Sequence, residues 1–148
     1  MTHVHAAPLA QIDPVTLYGI LRLRVDVFVV EQNCPYPELD GVDTEPTTEH
    51  LWIEVDRDPV ATVRTLVDAD GLHHLGRVAT HAAHRGQGYA ATLVRAGLTR
   101  IGERPVQIGA QAYLEEWYSR FGFVRNGEDY LEDGIAHLPM RREPDGAV

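Results

Sequence analysis

A chain of 148 residues, 44% of them hydrophobic, has the size of one domain with one core, which excludes a disordered chain or a disulfide scaffold. A formal net charge of −9 argues against a nucleic-acid partner, since phosphates need lysine and arginine, and favours small cationic partners. The single cysteine, Cys34, excludes an internal disulfide and points to a reducing compartment, and no apolar run or leader pattern marks a membrane span or a secretory signal. The expectation is one domain over residues 1–148, cytoplasmic, with no membrane partner.

Asp13-Pro14 starts a helix: a capping carboxylate, then proline at the first helical position. Leu17, Ile20, Leu21, Arg24 and Phe28 keep helical spacing to about Val30, with only Arg24 breaking the apolar set. The segment 31–49 is rich in Pro, Asp, Glu and Gly and reads as a long loop, of the kind often kept for function. Strands follow at 50–56, 60–68 and 73–81, with turns at Arg57-Asp58-Pro59 and Asp70-Gly71. RGQGYA (85–90) comes next, then a helix whose face is Ala90, Val94, Leu98 and Ile101. A short buried strand at 105–109, a helix from about 113 ending at Gly122, and one or two last strands complete the chain. This is a mixed α/β fold, antiparallel strands first and a parallel crossover around the glycine turn.

A strand, a glycine turn and a helix aim free backbone N–H groups at one point, with a partial positive charge behind them. Gly86 and Gly88 let an anion approach, and Arg85 adds a cation. The spacing fits neither a P-loop nor a dinucleotide fingerprint. A steric turn with no ligand reads equally well from these six residues alone.

Near the end, 116–123 reads EWYSRFGF, a tyrosine four residues before Gly-Phe on a helix that follows a short strand. Together with the glycine turn this resembles the GNAT superfamily of N-acetyltransferases, whose acyl-CoA loop has the form Q/R-x-x-G-x-G/A; Arg85, Gly88 and Ala90 match it. VFVVEQNCPYPELDG (27–41), IGAQAYLEEWYSRFGF (108–123) and YLEDGIAHLPM (130–140) are similar to its ElaA-like branch. The resemblance extends over nearly the whole chain.

The resemblance implies acetyl-CoA as cosubstrate and no metal. It implies a pyrophosphate held at Arg85, Gly86, Gln87, Gly88, Tyr89, Ala90 and Ala91, and a pantetheine arm along Val78, Ala79 and Thr80. A backbone N–H on that strand would polarise the thioester carbonyl. Tyr118 matches the tyrosine that protonates or stabilises the departing thiolate; read without the family, it is one more aromatic beside Trp117 and Phe121. Many relatives carry an asparagine seven residues before the tyrosine, and here the position is Gln111.

The acceptor implied is a small-molecule or peptide amine. A lysine-like amine is on the order of one part in a few thousand neutral at pH 7, so a base or a water chain must take its proton. His50, Glu54 and His81 are candidates on strand positions, with Glu31 at the end of the first helix. The superfamily reads its acceptor with the first helix and the loop after it. Glu31, Cys34, Tyr36 and Asp40 are therefore candidate contacts, against the plainer reading of a solvated acidic loop. Cys34 has no basic sequence neighbour to activate it. His81 and His84 lack the further ligands of a zinc site. A homodimer is compatible with the resemblance. Two other readings stay open: an acyl-CoA sensor or partner subunit without turnover, and a purely structural domain that binds no CoA.

Overall fold

The computed structural model describes residues 2–144. The Asp13 carboxylate accepts the backbone N–H groups of Val15 (3.1 Å) and Thr16 (3.2 Å), and α1 runs from Pro14 to Val25. The chain then continues in a π-helical segment, Asp26–Glu31, where a single helix to about Val30 was expected. The wider turn appears in the bonds from Gln32 N–H to the Val27 carbonyl and from Cys34 N–H to the Val29 carbonyl. Such a segment rotates its side chains relative to α1 and is frequent at functional sites.

Strand β1 (His5–Pro8), which the pattern does not predict, pairs with β2 (Glu49–Val55). β3 (Asp58–Val67) and β4 (His73–Thr80) continue the antiparallel meander. Asp56 and Arg57 both take positive φ, 52° and 69°, so the β2–β3 turn sits one residue earlier than expected. Helix α2 (Tyr89–Ile101) crosses to β5 (Val106–Gln111), the one strand parallel to its neighbour. Helix α3 (Glu115–Ser119) follows, then β6 (Val124–Arg125), β7 (Tyr130–Glu132) and β8 (Ile135–Arg142). The eight-stranded sheet has the order β1-β2-β3-β4-β5-β8-β6, and β7 pairs with the other end of β8.

The main core lies between the sheet and α2. Leu51, Val63, Leu93, Val94, Val106 and Leu138 are fully buried there. Each such side chain contributes roughly 1.5–3 kcal/mol by burial. Ile20 and Trp52 make a smaller apolar cluster under α1.

Leu23 packs with Val27 and Ala79 in a further apolar cluster, and Arg24 is the buried polar residue of α1. Arg24, 1% exposed, donates to Glu38 (2.7 Å) and to both Asp43 oxygens (2.8 and 3.1 Å). Arg64 donates to Asp40 and Asp43, and Arg77 to Glu38 and Asp40. Three arginines from α1, β3 and β4 thus bind three carboxylates of the 32–48 loop and fix it against the sheet. Arg77 reaches the loop because β4 bulges there. Thr62 pairs with Ala79 and Arg64 with Gly76, so Arg77, at φ 52°, and Val78 together oppose Val63.

Candidate active site

Strands β4 and β5 pair only at His73–Val106 and His74–Gln107. Beyond that point they part, and the gap opens into a cleft of about 1070 Å³. β4 therefore presents an unpaired edge on this side, from Gly76 onward.

At the mouth, the glycine turn delivers the chain into α2. Gly86 and Gly88 have φ of 81° and 78°, and a Cβ on either would meet nothing within 4 Å. The turn is thus set by backbone conformation and leaves open space in front of it. Gly88 caps α2 with no side-chain hydrogen bond. The first intrahelical bond runs from Thr92 N–H to the Gly88 carbonyl, so the N–H groups of Tyr89, Ala90 and Ala91 have no intrahelical acceptor. These free donors, with the helix dipole, suit an anionic group such as a phosphate.

Arg85 does not yet face that space. Its Nη atoms bind both oxygens of Glu31 (2.7 and 2.8 Å), and its Nε donates to the Thr80 carbonyl (3.0 Å). The bond to Arg85 holds the Glu31 carboxyl below its ordinary range.

Tyr118 lies on the wall, 7% exposed, with Trp117 and Phe123 edge-on to its ring at 4.9 and 6.0 Å. Burial, with a smaller effect from Tyr113, pushes its hydroxyl well above the phenol range. It is therefore a protonated donor at neutral pH.

Most of the expected site residues meet in this one cleft. Val78, Ala79, Thr80, Arg85, Gly86, Gly88, Tyr89, Ala90, Ala91, Gln111 and Tyr118 all line it, as do Glu31, Cys34, Tyr36 and Asp40. Gln87 is exposed and outside the lining. Gln111 donates to Gln32 (3.3 Å) across the cleft.

Of the four candidate bases Glu31 alone lines the cleft, bound to Arg85, and the other three fall elsewhere. Glu54 sits on β2, two strands from the opening, where it accepts from Trp52 Nε1 (2.8 Å) and faces His5 at 3.6 Å. His81 turns outward after β4, its Nδ1 accepting from Ala83 N–H (3.1 Å) and its ring edge-on to His84. His50 is fully buried with Nε2 3.4 Å from the Asp43 carbonyl, and burial lowers its pKa. None of the three lines the cleft.

Arginines engage three carboxylates of the acidic loop, Glu38, Asp40 and Asp43, while Glu45 is exposed. Arg24 and Arg64 overcome the cost of burial and keep Asp43 ionised, and Arg64 with Arg77 does the same for Asp40. Tyr36 donates to Glu38 (2.7 Å). Cys34 is buried, its Sγ 3.3 Å from the Asp133 carbonyl, and burial raises the thiol's pKa.

The pattern gave no account of the far wall, formed by the β7–β8 hairpin. Asp133 and Gly134, at φ 52° and 79°, turn it. Tyr130, Glu132 and His137 line the cleft from its two strands. Their alternation, Tyr130 with Glu132 and Ile135 with His137, is visible in YLEDGIAH; which edge the hairpin docks on is not.

The acetyltransferase (GNAT) domain model matches residues 25–144. A UPF0039 protein of Mycobacterium tuberculosis is 45% identical over 141 residues, covering 93% of this chain and 90% of that one. The protein ElaA of Escherichia coli is 41% identical over 133 residues, covering 86% and 87%. The crystal structure of E. coli ElaA superposes with a TM-score of 0.90 at 36% identity, over 97% of this chain and all of that one. An acyl-CoA N-acyltransferase from Pseudomonas aeruginosa gives 0.89 at 40% identity, over 96% and 99%.

Proposed function

This chain belongs to the acetyltransferase (GNAT) family, whose transferases use a CoA-derived acyl donor and an amine acceptor, and we propose that it moves an acetyl group from acetyl-CoA to a primary amine by direct attack. The carrying observation is the parting of β4 and β5 after His74, with free N–H groups at one end of the gap and the Tyr118 hydroxyl on its wall.

On this reading the N–H groups from Gly86 to Ala91 bind the diphosphate. The open edge of β4 at Val78–Thr80 pairs with the pantetheine amides and turns an N–H toward the thioester oxygen. Arg85 leaves Glu31 to meet a phosphate. Tyr118, kept neutral by burial, donates its proton to the sulfur as the carbon–sulfur bond breaks. The reading carries a single catalytic domain over residues 1–148 in the cytoplasm.

Titration calorimetry with acetyl-CoA, followed by thiol release in the presence of primary amines, tests it. Tyr118→Phe is expected to lower turnover about 100-fold while acetyl-CoA affinity changes less than about two-fold. Acetyl-CoA binding without turnover of any amine would instead identify a sensor or partner subunit.

A further inference from the structure

We propose that, on the β7–β8 hairpin, His137 takes the first proton from an incoming primary aliphatic ammonium and Glu132 receives its charge. The assignment rests on the transferase reading above.

His137 is buried, and its ring tautomer is fixed. Nδ1 lies 2.7 Å from the Ile135 carbonyl, and a carbonyl only accepts, so Nδ1 carries the hydrogen. In the neutral ring the lone pair is then on Nε2. That nitrogen lies 3.6 Å from a Glu132 oxygen, also an acceptor. An ammonium seated beside the pair can donate one N–H to each of them.

Of the two cleft carboxylates that no described arginine holds, Glu132 and Asp133, Glu132 is the one that faces His137. Glu38, Asp40 and Asp43 are held by Arg24, Arg64 and Arg77, and Glu31 by Arg85. Among the described residues Glu132 pairs with no arginine. Its side chain is 62% exposed and can receive a cation from solvent.

The hairpin is seated against the reaction cleft. His137 pairs with Gln111 on one side and Tyr130 on the other, so the three form one row across β5, β8 and β7. Tyr130 stacks on His137 at 5.7 Å and 21°. Its hydroxyl lies over Gly109, where a Cβ would come within 2.5 Å of it. The absent side chain at Gly109 is what lets the hairpin lie this close to β5.

The proton and bond changes balance. The ammonium gives one proton to His137 Nε2. The amine nitrogen then bonds to the thioester carbonyl carbon, and the sulfur leaves with the carbon–sulfur electron pair. The sulfur takes the Tyr118 proton, and the nitrogen's second proton restores that hydroxyl. The products are the amide, the CoA thiol and one proton returned to water from the imidazolium.

The test is kcat/KM at pH 7 for primary amines ranging from lysine-like basicity to 2,2,2-trifluoroethylamine. His137→Gln and Glu132→Gln are compared with the parent, and acetyl-CoA affinity is measured for each. His137→Gln should lose about 100-fold with the most basic amines and less than about five-fold with the least basic, which arrives already neutral. Glu132→Gln should raise KM several-fold for the cationic amines only. An equal loss across the series, or none, overturns the assignment while the transferase reading stands. If the parent binds acetyl-CoA but turns over no amine, both fall. Should His137→Gln lose acetyl-CoA binding as well, an unchanged KM in Glu132→Gln across the series overturns the assignment.

Discussion

The segment between Gln32 and Thr48 carries Glu38, Asp40 and Asp43, and Arg24, Arg64 and Arg77 meet all three. The segment from Arg85 to Ala91 offers backbone N–H groups that no described side chain caps. Both border the same cleft. In the first, the charge of these three carboxylates is matched inside the protein and fixes the loop. In the second, the donors of an exposed helix start are left without protein acceptors and open to an incoming anion.

Removing one member of the closed loop's network should have the largest effect. Arg24→Ala leaves Glu38 and Asp43 buried beside fewer cations and should cost about 3–5 kcal/mol in urea unfolding. A loss under about 1 kcal/mol would mean that the network holds nothing in place. The open loop should respond in binding more than in stability. Gly88→Glu puts a carboxylate among the free N–H groups, and acetyl-CoA affinity should fall about 100-fold, near 2.7 kcal/mol. The left-handed backbone at this position adds a stability cost of about 1 kcal/mol. Unchanged affinity would remove the contrast altogether.

Acid should weaken the closed region in two steps. Burial lowers the His50 pKa, so the unfolded chain binds its proton first. Stability is therefore lost as pH falls below roughly 6.5. Asp40 and Asp43 have depressed pKa values, so their contribution is complete above roughly pH 4 and fades below it. Urea midpoints at pH 7, 5 and 3 should descend in that order, and a flat profile would contradict the pairing. The smallest effect belongs to the contact between the two regions. Glu31→Gln frees Arg85 from an exposed pair, so stability should move by less than about 0.5 kcal/mol. Acetyl-CoA affinity, read by calorimetry, should rise about two- to five-fold with the anion gone; a fall would mean that Glu31 positions Arg85 for the phosphate.

Local chemistry made much of this legible. Asp13-Pro14, Asp70-Gly71 and RGQGYA each carry their own conformational instructions, and the strands between them alternate. The glycine turn and Tyr118 could be tied to one site by family likeness. What local pattern cannot show is pairing over distance. Arg24 looks like a flaw in an apolar stripe because its partners lie 14 and 19 residues away and its burial depends on them. The wider turn at Asp26–Glu31 has no residue signature. Glu54 and His81 had suitable chemistry on suitable strands, but strand order carries Glu54 away from the opening and the end of β4 turns His81 outward. The place of His137 beside Gln111 depends on a register that forms only when the sheet closes.

The contact between Cys34 and the Asp133 carbonyl joins the acidic loop to the hairpin turn across the cleft. It also bears on how the protein can be assayed. The chain's sole thiol is buried, and burial raises its pKa, so a colorimetric thiol reagent added to a working reaction reads released coenzyme A with little background from the protein. Without cosubstrate, the same reagent at a long time base becomes a clock. Its reaction with Cys34 reads how often that thiol becomes accessible, and a change in the rate on adding acetyl-CoA or an amine reports, with no introduced label, which of the two alters the contact.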